Sequence, residues 1–269
     1  MCKVLEVSRS GFYAWLKRDE SSRARANREL TAEIREIHEE SRGIYGAPRI
    51  HAVLQRRGHK CGLNRVADLM QKAGIRSKTR RRFRVRTTDS NHSLPIAPNL
   101  VERDFTAEEP DQLWVADITY IPTGEGWLYL AAIIDVYSRR VVGWAMEPHM
   151  RTSLVMSALN MALRGRQPGT GLILHSDRGS QYASNEHRRA LEKQGIRCSM
   201  SRKGDCYDNA MMESFFHSLK VEWIYDEFFA TRREAKAAIF EYLEIFYNRV
   251  RLHSSLGYVS PLEFETAVA

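Results

Sequence analysis

The chain has 269 residues, enough for two domains, and 43% of them are hydrophobic, which is typical of a globular protein. Apolar runs such as WLYLAAIIDV are far shorter than the roughly 18 to 20 residues that a membrane-spanning helix needs, and the N-terminus has no secretory signal pattern. The four cysteines have neither CxxC spacing nor the density of a disulfide scaffold. We therefore predict reduced thiols in a cytoplasmic protein with no membrane partner.

Charge is divided unevenly along the chain, whose net charge is +8. Residues 1–105 carry 23 of the 41 Lys and Arg residues but only 12 of the 33 Asp and Glu residues, a local net charge of +11. Cations that displace counterions from phosphates supply most of the sequence-independent affinity for nucleic acid. The N-terminal part is therefore predicted to bind nucleic acid, and a merely soluble basic surface is the alternative.

The first predicted elements are helices. In residues 1–20, Ser8 is a suitable N-cap for a helix whose Phe12, Trp15 and Leu16 would face inward, as in the second half of a helix-turn-helix whose first helix would precede Met1. Residues 21–75 contain three helical patterns, RELTAEIREIHEES, GAPRIHAVLQRR and NRVADLMQKA, which predict a complete helix-turn-helix domain. Its third helix could enter a major groove, although small three-helix units also bind proteins.

Residues 76–105 are predicted to be a basic arm followed by a linker. The segment RSKTRRRFRVR has seven basic residues in eleven, which favours phosphate contact over a merely solvated arm. The predicted DNA-binding residues of this arm are Arg76, Lys78, Arg80, Arg81, Arg82, Arg84 and Arg86. The polar stretch TTDSNHSLPIAPN then marks the domain boundary.

Residues 106–269 are predicted to form a mixed α/β sheet. LWVADITYI and WLYLAAIIDVY are strand patterns joined by the hairpin turn PTGEG, and RVVGWAM is a third strand. Alternating helices and strands follow, then an amphipathic C-terminal helix and a polar tail. If the hairpin turn centres near Gly124, Asp117 pairs near Ala131 and Asp135 lies roughly 13 Å away at 3.3 Å per residue, which predicts a structural role for Asp135.

Three acidic residues of this domain are candidates for catalysis. Asp117 is a carboxylate inside a strand, where Asp is disfavoured, and Asp177 ends the strand LILHSD, where ligands of open α/β sheets tend to bind. Glu213 lies in the helix NAMMESFFHSLK and shares an arc of about 80° with Asn209, His217 and Lys220. A solvated helix face and a turn Asp are the ordinary alternatives. Together, however, the three carboxylates could hold two divalent ions. Asp208 is predicted to cap the helix, alone or together with Asn209.

WVADITY, HSDRGSQY and the stretches SRKGDCYDNAMMESFFHSLK and YNRVRLHSSLGYVSPLEF resemble the downstream-frame product of two-frame insertion sequences, a DDE transposase. That family has 35 residues between its second Asp and its Glu and a Lys or Arg seven residues later; here 35 residues separate Asp177 from Glu213, and Lys220 follows at the seventh position. The resemblance covers nearly the whole chain, including YGAPRI in the helix-turn-helix region. Ala116 departs from it, since Thr is expected before the first Asp.

The resemblance implies an RNase H-like, integrase-type core with two Mg²⁺ or Mn²⁺ ions held by Asp117, Asp177 and Glu213. Lys220 would grip phosphate, while Asn209 and His217 would line the DNA or simply occupy the surface. The implied function is metal-dependent cleavage at the element ends and strand transfer into target DNA. Implied partners are DNA, further copies of the chain and an upstream-frame protein, in a nucleoid-associated setting. A nuclease of the same fold that does not join strands, or a non-catalytic DNA-binding protein, is the alternative.

Two other kinds of site are disfavoured. His38, His51, His59 and Cys61 do not form two closely spaced ligand pairs, so no retroviral-type zinc module is predicted. Tyr247 lies close to Arg249, Arg251 and His253, as a tyrosine recombinase would require, but that chemistry would leave the three carboxylates unexplained. The tail is predicted to pack on the core, with some contact to DNA.

Overall fold

The protein is described by a computed structural model that covers residues 2, 4, 6–78, 94–202 and 206–268. The chain divides into two compact units, Met1–Lys78 and Thr79–Ala269. Five of the predicted arm residues lie outside the described residues: Arg80, Arg81, Arg82, Arg84 and Arg86. Arg76 is exposed at the end of the first unit, and Lys78 donates its backbone N–H to the carbonyl oxygen of Gly43 at 2.9 Å.

The N-terminal unit is helical, as predicted. Its helices are α1 (Arg9–Leu16), α2 (Ser22–Glu40), α3 (Ala47–Arg56) and α4 (Leu63–Lys72). The last three share a core whose buried residues include Leu30, Ile34, Ile37, Ile50, Leu54 and Val66. Because α3 and α4 follow one another through a short turn, they have the order that a helix-turn-helix requires.

Helix α1 differs from its prediction. Ser8 caps it as expected, since its side-chain oxygen accepts a hydrogen bond from the Gly11 N–H at 3.0 Å. The expectation that Phe12, Trp15 and Leu16 face inward is wrong, because no residue of α1 is buried and Trp15 is 63% exposed. The physical reason is that an amphipathic helix hides its apolar face only against a second element, and nothing in the described chain covers this face.

The second unit is built on the predicted mixed sheet. Its strands are β1 (Leu113–Thr123), β2 (Gly126–Asp135), β3 (Val141–Glu147), β4 (Ile173–Ser176) and β5 (Arg197–Met200). They lie in the order β3-β2-β1-β4-β5. The β1–β2 and β2–β3 pairs are antiparallel, whereas β1–β4 and β4–β5 are parallel. This arrangement places β1 in the middle of the sheet.

The hairpin register differs by one residue from the prediction. Thr123 pairs with Gly126, so the turn is the two residues Gly124 and Glu125, and Asp117 pairs with Ala132 rather than Ala131. A shorter turn shifts every cross-strand partner, which sequence alone could not resolve.

Helices cover the sheet and complete the unit. They are α5 (Thr152–Arg166), α6 (Asn185–Lys193), α7 (Ala210–Leu219), α8 (Arg232–Phe240) and α9 (Pro261–Val268). Two π-helical segments, Lys220–Ile224 and Glu241–Tyr247, continue α7 and α8 respectively. Helix α5 lies so close to β3 that a Cβ on Gly143 would stand 2.3 Å from the carbonyl oxygen of Ala158. The main core lies under α5 and α6 and includes Trp114, Ala116, Ile133, Leu154, Leu159 and Leu174. No described helix is long and apolar enough to cross a membrane.

Candidate active site

Asp117 and Asp177 are brought together by the parallel pairing of β1 with β4. The last pair of that ladder is Ala116 with Ser176, and each Asp is the next residue along its chain. Neighbouring strands are about 4.8 Å apart, so the two aspartates leave the ladder side by side. Both are half-buried. Strand β4 ends here, which opens the sheet beside Asp117.

Glu213 comes to the same region on α7. The helix buries the apolar side predicted from its sequence, namely Met211, Met212, Phe215, Phe216 and Leu219, and Glu213 lies on the exposed side in the first turn. His217 is exposed on that side as well, whereas Asn209 is only 6% exposed. Asn209 donates a hydrogen bond from Nδ2 to the backbone carbonyl oxygen of Ala116 at 3.4 Å. This contact ties the start of α7 to the residue before Asp117.

The three carboxylates share one electrostatic environment. Burial raises the pKa of Asp117 well above its usual range, the charge of Asp177 raises it further, and Glu213 adds a smaller rise. The N–H of Ile118, which donates to Asp117 Oδ1 at 2.7 Å, and the charge of Lys220 act in the opposite direction. Negative charge is therefore only partly compensated at this site.

The donor set suits a hard divalent cation. Carboxylate oxygens are the ligands that Mg²⁺ and Mn²⁺ prefer, and a dication would neutralise the charge that raises the pKa of Asp117. Within the described residues, no three His, Cys, Asp or Glu side chains already stand in a group that could hold a metal ion. Instead, Asp117 accepts from Ile118 and Asp177 accepts from the Gly179 N–H at 2.9 Å. Like charges favour such separate local contacts.

Lys220 turns toward the strand rather than away from it. Its ammonium nitrogen lies 4.7 Å from the ring centroid of Tyr120, a cation–π contact, and burial lowers its pKa while the charge of Asp117 opposes that shift. Lys220 therefore lies between Asp117 and the Tyr120 ring.

Asp208 does not cap α7, which corrects the sequence prediction. Its carboxylate instead accepts hydrogen bonds from the Arg202 N–H at 2.8 Å, from Arg103 Nε at 3.1 Å and from Asn99 Nδ2 at 3.1 Å. The hydrogen bonds from Arg202 are the main cause of a lowered Asp208 pKa. Asp208 is fully buried, and its hydrogen bonds to these three residues fix the position of the segment that leads into α7. Sequence reasoning missed Arg103 and Asn99 because they lie in a distant part of the chain.

His175 is a second residue that the sequence did not single out. It is fully buried in β4, and Nε2 donates to the Asp208 carbonyl oxygen at 2.7 Å, while Nδ1 accepts from Ser199 Oγ at 2.8 Å. A carbonyl oxygen can only accept, which sets this tautomer. Burial lowers the pKa of His175 and keeps the ring neutral. The ring thus ties the segment before α7 to β4, the strand that ends immediately before Asp177.

Asp135 has a structural role, as predicted. It is fully buried and accepts the N–H groups of Asp111 at 2.7 Å and Ser138 at 3.0 Å. The Ser138 bond closes the turn after β2, and the Asp111 bond fastens the segment before β1 to that turn.

The tail packs on the core, as predicted. Arg251, 5% exposed, pairs with Glu222 through Nη2–Oε1 at 2.6 Å and Nε–Oε2 at 2.7 Å. Tyr242 donates its hydroxyl to Glu222 Oε2 at 3.1 Å. Tyr247 is buried, and burial raises its pKa to about 12, which is inconsistent with a tyrosine nucleophile in this fold.

The sequence matches known families over both units. Residues 25–83 match the HTH-like domain family, and residues 107–206 and 213–268 match two integrase core domain families. The chain is 44% identical to the transposase InsF of insertion sequence IS3A from Escherichia coli K12, over 98% of this chain and 92% of that protein. The chain belongs to the IS3 family of insertion-sequence transposases.

Other relatives agree with this assignment. The transposase is 48% identical to the 31 kDa protein of insertion element IS600 from Shigella sonnei, over 98% of this chain and 97% of that protein. Its fold is similar to a chain of the simian T-cell lymphotropic virus intasome, with a TM-score of 0.50 and 16% identity over 86% of this chain and 73% of that chain. The predicted RNase H-like fold and the predicted class, an enzyme that cuts and joins DNA, are confirmed.

Proposed function

We propose that Asp117, Asp177 and Glu213 are the catalytic residues and hold two Mg²⁺ or Mn²⁺ ions while the transposase cleaves the element ends and joins them to target DNA. The observation that carries the proposal is the pairing of Ala116 with Ser176 at the end of the β1–β4 ladder, because it leaves Asp117 beside Asp177. Asn209 also ties the start of α7, the helix of Glu213, to the carbonyl oxygen of Ala116. When bound, the ions would help to activate the attacking water or 3′-hydroxyl and stabilise the leaving oxygen.

Each catalytic residue has a different support. Asp117 lies in the central strand, where it pairs with Ala132 of β2 and directly follows the last residue paired with β4, so its backbone is held before substrate arrives. Asp177 lies just beyond a strand end, where Gly179 and the following loop orient its carboxylate. Glu213 is exposed on α7 and reaches the site from the helix side. We therefore expect the strand, the loop and the helix to hold the three carboxylates close to the positions that metal binding requires, despite the repulsion between their charges.

The remaining predicted contacts concern DNA. Lys220 would bind a phosphate near the cut end as an ammonium, and the exposed His217 would contact the same strand. Asn209 would act through its backbone contact, since it is largely buried. Helix α4 would enter a major groove, and the arm from Arg76 to Arg86 would follow the phosphates. Homo-oligomers on paired DNA ends, an upstream-frame partner and a nucleoid-associated cytoplasmic location belong to the same proposal.

A strand-joining assay tests the function. The transposase is incubated with Mg²⁺, pre-nicked DNA from the end of its own element and a supercoiled plasmid, and products are separated on a gel. We expect the nicked strand to become covalently joined to the plasmid. Cleavage without any joined product would favour a nuclease of the same fold, and binding without either reaction would favour a non-catalytic DNA-binding protein.

A further inference from the structure

Tyr120 stands beside Lys220, Trp127 packs against Tyr120, and neither ring has a role in the proposed metal chemistry. Tyr120 of β1 and Trp127 of β2 meet edge to face, with ring centroids 4.9 Å apart and planes at 89°. They lie on one face of the hairpin, because Tyr120 pairs with Tyr129 and Trp127 is two residues from Tyr129. We call Tyr120 and Trp127 the hairpin aromatic pair. Lys220 Nζ contacts the Tyr120 ring at 4.7 Å, and Trp127 is 49% exposed.

The backbone of the hairpin that carries this pair is fixed by several contacts near its tip. The Gly124 N–H donates to the Phe229 carbonyl oxygen at 2.9 Å, and a Cβ on Gly124 would stand 2.6 Å from the Ala230 carbonyl oxygen, so only glycine fits this approach. Arg232 donates from Nε to the Trp127 carbonyl oxygen at 3.1 Å and from its backbone N–H to Glu125 at 2.9 Å. The hairpin tip is thus fastened to the start of α8, and an exposed ring in a preset position loses little freedom on binding.

Position and chemistry together indicate an occupant. Sites for single-stranded nucleic acid combine a cation that binds phosphate with an exposed aromatic ring on which a base can stack. Lys220 and Trp127 provide these two groups here. Tyr120 lies three residues from Asp117, about 10 Å along the strand, which is the reach of one or two nucleotides. Because side chains alternate between the faces of a strand, DNA at Asp117 would reach Tyr120 around the edge of β1 that β4 leaves uncovered beyond Ser176, where Lys220 interacts with both residues. Within an intact duplex the faces of the bases are covered by their neighbours, so a ring here can stack only on the outer face of the last pair or on a base that has left the duplex. The small spread of one indole ring matches a single base rather than a whole base pair.

We propose that the hairpin aromatic pair stacks an unpaired nucleobase of the DNA end, with Trp127 providing the exposed face and Lys220 holding the adjacent phosphate. This inference rests on the proposed function, because it takes the DNA end to lie at Asp117. Opening the end would help the reacting phosphodiester to reach the carboxylates, and the site would favour ends whose last base pairs are weak.

The test uses the full chain and an element end that carries 2-aminopurine at the terminal position, without divalent metal. Stacking quenches 2-aminopurine, so we expect quenching on binding by the wild type, most of it retained in Trp127→Phe and lost in Trp127→Leu. We also expect Trp127→Leu to bind a fully paired end about 10-fold more weakly, with part of the loss recovered on an end whose last pair is mismatched. Phe240→Leu is the matched control, since Phe240 is 48% exposed but packs on Trp144 of β3.

Several outcomes would overturn the inference. Equal quenching by the wild type and Trp127→Leu would do so, and so would an equal loss of affinity in Phe240→Leu, which would indicate a general surface effect. Asp117→Asn separates this inference from the proposed function, since it should keep the quenching and lose the chemistry. If Asp117→Asn is inactive and the quenching is the same with and without the Trp127 ring, the stacking inference is wrong and the catalytic proposal is supported. If Asp117→Asn stays active while quenching depends on Trp127, the catalytic proposal falls and the stacking site stands. Melting curves of each variant verify that it is folded.

Discussion

Asn209 Nδ2 donates to the carbonyl oxygen of Ala116 at 3.4 Å, which ties the first turn of the Glu213 helix to the strand residue before Asp117. Because that carbonyl can only accept, the amide must point its nitrogen there, and Oδ1 is left buried with no hydrogen-bond partner among the described residues. A buried acceptor without a partner costs stability, so Asn209 holds the start of α7 against β1 at an energetic cost.

We expect Asn209→Ala to lower the rate of end cleavage by about 100-fold, because a small shift of Glu213 misplaces it relative to Asp117. The variant should melt close to the wild type, since the lost hydrogen bond is long. Single-turnover cleavage and thermal melting measure the two effects. Asn209→Asp is the sharper control: it keeps the size but sets an oxygen against the Ala116 carbonyl, so it should be at least as slow. Full activity in both variants would exclude a positioning role.

Asp117→Asn should abolish cleavage and joining while DNA binding is retained. It should also stabilise the metal-free protein, because burial and the charges of Asp177 and Glu213 raise the pKa of Asp117 and make its ionised form unfavourable at pH 7. A gain of about 1 kcal/mol would raise the melting temperature by roughly 2–4 °C in a chain of this size. Mn²⁺ should then raise the melting temperature of the wild type but not of the variant. A metal-induced shift that survives in Asp117→Asn would place the ions elsewhere.

The buried pair of Glu222 and Arg251 should be costly to break. Replacing Arg251 by Met leaves the Glu222 carboxylate buried without its main cation, and we expect a loss of about 3–5 kcal/mol in the free energy of unfolding. The double variant Glu222→Leu/Arg251→Met should recover much of that loss, since no charge is then left unpaired. Urea unfolding of the two single variants and the double variant completes a cycle. Purely additive losses would indicate that the two residues are not coupled.

Stability should fall between pH 6.5 and pH 4 because of His187. Its ring is 1% exposed, and burial lowers its pKa from 6.5 to about 4. The unfolded chain therefore takes up a proton at a higher pH than the folded chain does, so this contribution is complete above pH 6.5 and is lost as the pH falls through the window. A shift of this size corresponds to about 3 kcal/mol. The free energy of unfolding, measured with urea as a function of pH, should depend less on pH in His187→Gln than in the wild type.

Local patterns in the sequence specified much of this protein. The apolar spacing of α7 predicted which side is buried, the β-branched and aromatic runs joined by PTGEG predicted a hairpin, and the distances between Asp177, Glu213 and Lys220 in the chain identified the family. These features could be predicted because periodicity records which face of one element is hidden from water.

Long-range partners could not be derived in this way. The ion pairs of Asp208 with Arg103 and Arg202, the ring of His175 under the approach to α7, and the burial of Asn209 all depend on which strands lie next to each other. Even the register of the hairpin differs by one residue from the prediction, because the turn consists of the two residues Gly124 and Glu125 rather than being centred on Gly124. The candidate catalytic residues were thus encoded by spacing along the chain. The residues that hold them in place were decided by the strand order β3-β2-β1-β4-β5. That order determines which distant segments become neighbours, and therefore which side chains are buried and which charges pair.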